Sequence, residues 1–185
     1  MSKEVLIPIA NGSEDIETVT LIDVLRRAQA NVTVASIGEE LLVVAARGTK
    51  IIADVKISDC KMKEWDLIAL PGGMPGAKNL SENSVLVELL KSQNEKGKLY
   101  AAICASPAIV LQPHGLLIEK NACCYPAFRE NIPPEQLAPA HNRVVVDQNC
   151  ITSLGPATAI EFALKLVELL FGKDLSDTIG KAMLC

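Results

Sequence analysis

The sequence predicts an α/β fold in which helices cover both faces of a mainly parallel sheet. Three observations predict it. Short apolar runs of strand length recur along the chain, apolar on both faces as buried parallel strands are. Stretches with a helical apolar period separate them. Gly- and Pro-rich turns close several of these runs, where open α/β sheets carry their ligands.

Each element can be justified in order. Residues 4–10, EVLIPIA, form a buried strand. Asn11-Gly12-Ser13 makes a turn, with Ser13 placed as an N-cap. Glu14, Asp15 and Glu17 then load the first turn of a helix with acid, which suits its dipole. Leu21, Val24, Leu25 and Ala28 supply that helix with its apolar period. Asn31–Ser36 is the second strand. Residues 41–45 and 50–55 flank an Arg47-Gly48 turn and form a hairpin or an edge excursion. Leu67–Leu70 is a short buried strand that runs straight into Pro71-Gly72-Gly73. Residues 84–91 and their continuation are helical. Leu99–Ile103 is a strand, and residues 106–111 begin a helix. Val144–Asp147 and Cys150–Ser153 form a hairpin around Gln148-Asn149. Residues 158–171 are a strongly apolar helix stopped by Gly172, and 174–184 make a short final helix.

The 185 residues fit one domain, 1–185, with room for a sizeable core. Aromatics are only 3%, so that core is aliphatic. The net charge of −4, without a basic cluster, argues against nucleic acid as a partner. No run approaches the length of a membrane helix, and the first residues lack the features of a signal peptide. A cytoplasmic protein is expected. The six cysteines contain no C-x-x-C and no Cys/His cluster, so neither a disulfide framework nor a metal site is expected.

Three turns carry chemistry. In YAAICASPAIVL, residues 100–111, a strand ends on Cys104 with small residues, Ala102 and Ser106, two positions to either side. This is the pattern of a nucleophile elbow, and a helix N-terminus beyond it would lower the thiol pKa. A buried small filler is the plainer reading of any one cysteine, and it stands for Cys60, Cys150 and Cys185. Cys123 and Cys124 read as strand filler. Gly72 and Gly73 let backbone N–H groups approach a ligand closely, and with Ala105 could hold an oxyanion. Glu17 lies near the buried face of its helix, where a carboxyl tends to stay protonated and could hydrogen-bond a thiolate.

Ala10-Asn11-Gly12-Ser13-Glu14-Asp15-Ile16-Glu17, Leu70-Pro71-Gly72-Gly73, Ala101-Ala102-Ile103-Cys104-Ala105-Ser106-Pro107 and Thr152-Ser153-Leu154-Gly155-Pro156-Ala157-Thr158 occur in that order over almost the whole chain. Together they resemble the DJ-one/ThiJ/PfpI superfamily, in the branch that holds a parkinsonism-associated protein and bacterial ThiJ-like proteins. The resemblance implies a flavodoxin-like three-layer sandwich and a homodimer. It implies an oxidation-prone Cys104 that goes to sulfinate, a hydrogen bond to it from Glu17, and the glycine pair Gly72 and Gly73 beside it. The implied activity is a cofactor-free glyoxalase acting on a small aldehyde or ketoaldehyde, methylglyoxal to lactate, with a disputed protein deglycase. Redox-sensing and chaperone roles under oxidative stress are implied as well.

Three positions depart from that pattern. Tyr125 replaces a common histidine before the proline of the strand after the elbow helix, which makes Tyr125 the third candidate catalytic residue. A phenol is a poor base at neutral pH. Leu154 replaces an arginine, and Ser106 a glycine. An enzyme and a non-enzymatic redox sensor or holdase would use the same residues, so both readings stand. A peptidase is disfavoured, because Ala105 occupies the place of the histidine that follows the elbow cysteine in the superfamily's peptidases. Cys104 is expected to be the most acidic of the six thiols.

Overall fold

The computed structural model describes residues 2–185. In chain order the elements are β1 (Glu4–Ile9), α1 (Asp15–Arg27), β2 (Asn31–Ser36), β3 (Leu42–Val44), β4 (Lys50–Ile52) and β5 (Val55–Lys56). There follow β6 (Leu67–Leu70), α2 (Gly76–Glu82), α3 (Ser84–Glu95), β7 (Leu99–Ile103), β8 (Val144–Asp147), β9 (Cys150–Ser153), α4 (Ala159–Phe171) and α5 (Lys173–Ala182).

Seven strands form one sheet in the order β5-β2-β1-β6-β7-β9-β8. Every pairing is parallel except that of β8 with β9. The order β2-β1-β6-β7-β9 is that of the flavodoxin-like doubly wound sheet, whose ligand crevice lies where the winding reverses. Strand alternation divides the core. Val5, Ile7 and Ile9 of β1, with Ala101 and Ile103 of β7, pack beneath Leu21, Val24, Leu25, Phe162 and Leu166 of α1 and α4. Leu6, Tyr100 and Ala102 point the other way, towards Leu80, Leu86 and Leu90 of α2 and α3. The period of two, apolar on both faces, is what a sheet between two helical layers requires. Among the described residues no helix is long and apolar enough to cross a membrane.

Several expectations are corrected. Ser13 does not cap α1: Glu14 does, its Oε2 accepting from the Glu17 N–H at 2.8 Å. The Ser13 hydroxyl is occupied by the Ala10 N–H at 3.0 Å, inside the turn. Residues 50–55 divide, because β4 pairs with β3 while Val55 crosses to the edge of the main sheet. The segment after the elbow is not an α-helix. Pro107–Leu111 forms a π turn and Gln112–His114 a 3-10 turn. Residues 124–126 are not a strand; Ala122 makes a single bridge to Leu137 nearby. Helix α2 is an additional element, starting directly from the Pro- and Gly-rich turn.

Phe162 is fully buried between α4 and the sheet, whereas Ile160 on the same helix is exposed. Phe162→Ala is expected to cost about 3–5 kcal/mol, against under about 0.5 kcal/mol for Ile160→Ala, both read from urea unfolding midpoints.

Candidate active site

The site is assembled at the C-terminal ends of three adjacent parallel strands, β1, β6 and β7. The loop after β1 leads into α1 and brings Glu17. The loop after β6 brings Gly72 and Gly73, and the corner after β7 brings Cys104. Glu17 shares a helix face with Leu21, Val24 and Leu25, at positions i, i+4, i+7 and i+8, so the burial of that stripe carries the carboxyl inside with it.

Cys104 has φ +65°, a left-handed conformation that costs an L-residue roughly 1–2 kcal/mol. Hydrogen bonds on both sides hold it there. Its N–H donates to the Ser153 carbonyl at 3.0 Å, and its carbonyl accepts from the Tyr125 N–H at 2.8 Å. Close approach of the Gly72 backbone completes the corner. A Cβ on Gly72 would stand 2.6 Å from the Cys104 Cβ and 2.9 Å from the Ala105 nitrogen, so only glycine fits. Ser106 is buried and useful here: its hydroxyl donates to the Pro71 carbonyl at 2.6 Å and ties elbow to glycine loop.

Glu17 is fully buried. Its Oε2 accepts from the Gly72 N–H at 2.7 Å. Its Oε1 has no partner of ordinary hydrogen-bond geometry, and the Cys104 thiol is the polar group beside the carboxyl. Burial pushes its pKa up to about 7; the Gly72 N–H opposes the rise and the nearby Glu14 charge adds to it. The expected protonation-prone carboxyl is therefore present.

The expected acidic thiol is not. Burial pushes Cys104 up to about 12, and the negative charge of Glu17 pushes the same way. Burial raises Cys60, Cys123 and Cys124 in the same direction. Against burial and the Glu17 charge, the Gly73 and Ala105 N–H groups, both directed at the sulfur, favour a thiolate. Two charges this close oppose each other, so the pair surrenders its first proton far more readily than its second.

Gly72, Gly73 and Ala105 thus stand with Cys104 and Glu17. Tyr125 lies at the rim with its ring half-exposed. Leu154 packs against Cys123, Ala138 and Val145 as apolar filler. Sequence reasoning missed Gly155, whose space lies against both the Tyr125 ring and the Cys104 sulfur. It also missed Thr158, whose hydroxyl accepts from the Gly155 N–H at 3.1 Å and meets the Ser153 hydroxyl at 2.6 Å. Their signal was the Gly-Pro-Ala-Thr run after β9, a strand-end turn like the other three.

Fold and corner together define a flavodoxin-like α/β protein with a carboxyl-paired cysteine at its strand ends. The chain belongs to the DJ-1/PfpI family, whose family model matches residues 3–169. It is 47% identical over 181 residues to the Arabidopsis thaliana protein DJ-1 homolog B, covering 98% of this chain and 41% of that protein. The chain thus spans less than half the length of that relative. It is 38% identical over 179 residues to the glutathione-independent glyoxalase DJR-1.2 of Caenorhabditis elegans, covering 97% of this chain and 94% of that one. The solved structure of oxidised Toxoplasma gondii DJ-1 superimposes with a TM-score of 0.97 at 45% identity, covering 99% of this chain and 98% of the other.

The raised Glu17 pKa has a consequence for stability. Below pH 4.5 the carboxyl is protonated in both folded and unfolded chains and costs nothing. Between there and about 7 the folded chain binds the extra proton, so stability falls as pH rises, by up to about 3 kcal/mol in all. Urea unfolding across this range should show that fall, and Glu17→Gln should flatten it. An unchanged slope in the variant would assign the fall to other groups.

Proposed function

We propose that the chain is a cofactor-independent glyoxalase that converts methylglyoxal to lactate, with possible protein deglycation by the same site, in defence against carbonyl and oxidative stress. The observation that carries this reading is the fully buried Glu17, with a pKa near 7, against the cysteine at the left-handed elbow. The family relationship to a glutathione-independent glyoxalase supports it. Six free cysteines suit a reducing compartment such as the cytoplasm.

Cys104 is the nucleophile, and because its thiol is held protonated, Glu17 is its base. As the S–C bond forms at the aldehyde carbon, the thiol proton passes to the Glu17 carboxylate and the carbonyl electron pair moves onto oxygen. The Gly73 and Ala105 N–H groups, on the backbone beside Gly72, steady that oxygen until it takes the proton from Glu17. Glu17, a carboxylate again, removes the hydrogen on the thiohemiacetal carbon. The electron pair moves onto the ketone oxygen as an enediolate; Glu17 returns its proton to the neighbouring carbon, and the hydroxyl proton of the first carbon passes to the second oxygen, leaving a lactoyl thioester. Water hydrolyses the thioester, releasing lactate and the Cys104 thiol. Starting materials and products differ by one water, so no redox partner is needed. A carboxyl near pH 7 suits repeated giving and taking of a proton. Tyr125 assists by contact at the rim.

The alternative is a redox sensor or chaperone whose signal is oxidation of Cys104. The carboxyl and the two N–H groups around the sulfur favour it, because they could equally receive the oxygens of a sulfinate formed by two equivalents of peroxide. The solved relative in an oxidised form is in keeping with it. Partners beyond small carbonyl compounds would be a second copy of the chain. Ile16 and Val19 of α1 and Val44 and Ile52 of the β3–β4 hairpin are exposed, and they supply the apolar face of the homodimer.

Two outcomes are expected. Methylglyoxal turnover by the purified protein should vanish in Cys104→Ala, fall roughly 10²-fold or more in Glu17→Gln, and fall far less in Tyr125→Phe. Loss in Tyr125→Phe with retention in Glu17→Gln would reverse their roles, and an inactive wild-type protein would leave the sensor reading. Light scattering at micromolar concentration should give a dimer mass, and Ile52→Asp should give a monomer.

A further inference from the structure

Gly155 raises a question that its backbone does not answer. Its φ is 162°, extended, which any residue adopts, so a turn does not demand glycine there. Its surroundings leave room for little more. A Cβ at this position would stand 3.3 Å from Cδ2 and 3.8 Å from Cε2 of Tyr125, and 4.0 Å from the Cys104 sulfur. A single methyl group would touch ring and sulfur at once. The wall is tied within its own turn. The Gly155 carbonyl accepts from the Thr158 N–H at 2.9 Å and from its hydroxyl, also at 2.9 Å, and the Gly155 N–H donates to that hydroxyl. Beyond the ring, Phe128 continues the rim, its centroid 6.3 Å from that of Tyr125 and tilted by 51°.

We propose that Gly155 is the specificity-determining residue of the Cys104 site. It keeps open a wedge between the sulfur and the Tyr125 ring, so that the aldehyde end of a flat 1,2-dicarbonyl reaches the thiol while its substituent lies along the Tyr125–Phe128 rim. The substrate class is then aryl- as well as methyl-substituted ketoaldehydes. For its substrate this rests on the glyoxalase reading; for the wedge itself it rests on geometry alone.

The test separates the two. In a Cys185→Ser background, which removes the exposed thiol, Cys104 is labelled with iodoacetamide, a small probe, and with 5,5′-dithiobis(2-nitrobenzoate), a bulky aromatic one. Both need the same thiolate, so their ratio reports size. Gly155→Ala should slow the aromatic probe about 10-fold or more and iodoacetamide by less than about 3-fold, the scale of one added carbon in a fitted pocket. Adding Tyr125→Ala should restore the aromatic rate. The kcat/KM for phenylglyoxal should fall about 10-fold more than that for methylglyoxal. Equal effects on both probes, or none, in a variant with unchanged circular dichroism would overturn the wedge. Should Gly155→Ala not fold, Tyr125→Ala alone decides: a selective gain for the aromatic probe supports the wedge, and an unselective one overturns it. If wild type turns over neither dicarbonyl, the glyoxalase reading falls while the labelling ratio still judges the wedge.

Discussion

The site depends on one hydrogen bond, from the Gly72 N–H to the buried Glu17 carboxyl. A carboxyl out of water needs a donor or a proton, and here it has one of the first and a strong appetite for the second. The bond joins the first turn of α1 to the loop after β6. The Glu14 N–H returns the link by donating to the Gly72 carbonyl at 2.9 Å. Glycine at 72 then lets the corner after β7 press against the same backbone. Three chain segments distant in sequence meet in one small volume because the middle one, at Gly72, brings no side chain into it.

That crowding explains the electrostatics. Water is kept away from the sulfur and the carboxyl, so burial raises both pKa values and each charge opposes the other. The two groups act as one reservoir holding a proton that either can lend. The strained φ of Cys104 turns the sulfur toward that reservoir, and the bonds to Ser153 and Tyr125 hold the strain in place. The hairpin of β3 and β4 braces the first loop from outside, where the Gly12 N–H donates to the Val44 carbonyl and the Ala46 N–H to the Ser13 carbonyl.

What the sequence made legible was local and repetitive. Leu67–Leu70, Leu99–Ile103 and Asn31–Ser36 are apolar runs bounded by turn residues, and the strands have those limits. The Cys104 corner was visible because an elbow needs small residues at fixed offsets, and Glu17 because it shares a helix stripe with Leu21 and Leu25. Non-local competition was invisible. Ser13 has the chemistry of a cap, but its hydroxyl is drawn to Ala10. Pro113 denies the segment after the elbow a helical donor, and the thiol is raised by its own burial and by Glu17, neither of which a local pattern displays. Gly155 gave no sign of its neighbours, because nothing in a Gly-Pro-Ala-Thr run says that a tyrosine thirty positions earlier will lie against it.

The Cys104 N–H bonds to the Ser153 carbonyl, and β7 lies between β6, its neighbour in sequence, and β9, which follows about fifty residues later. This has a consequence for the order of events on the ribosome. Residue 104 emerges with its strand unfinished on one side, and its partner follows only after the long stretch that includes β8. Until then the Cys104 N–H lacks the Ser153 carbonyl that helps hold its φ. Contacts of such sequence separation close late. The corner is therefore completed only when the last parallel strand of the sheet docks. A chain truncated before β9 would keep Cys104, Glu17 and Gly72 and lack the carbonyl that holds the corner.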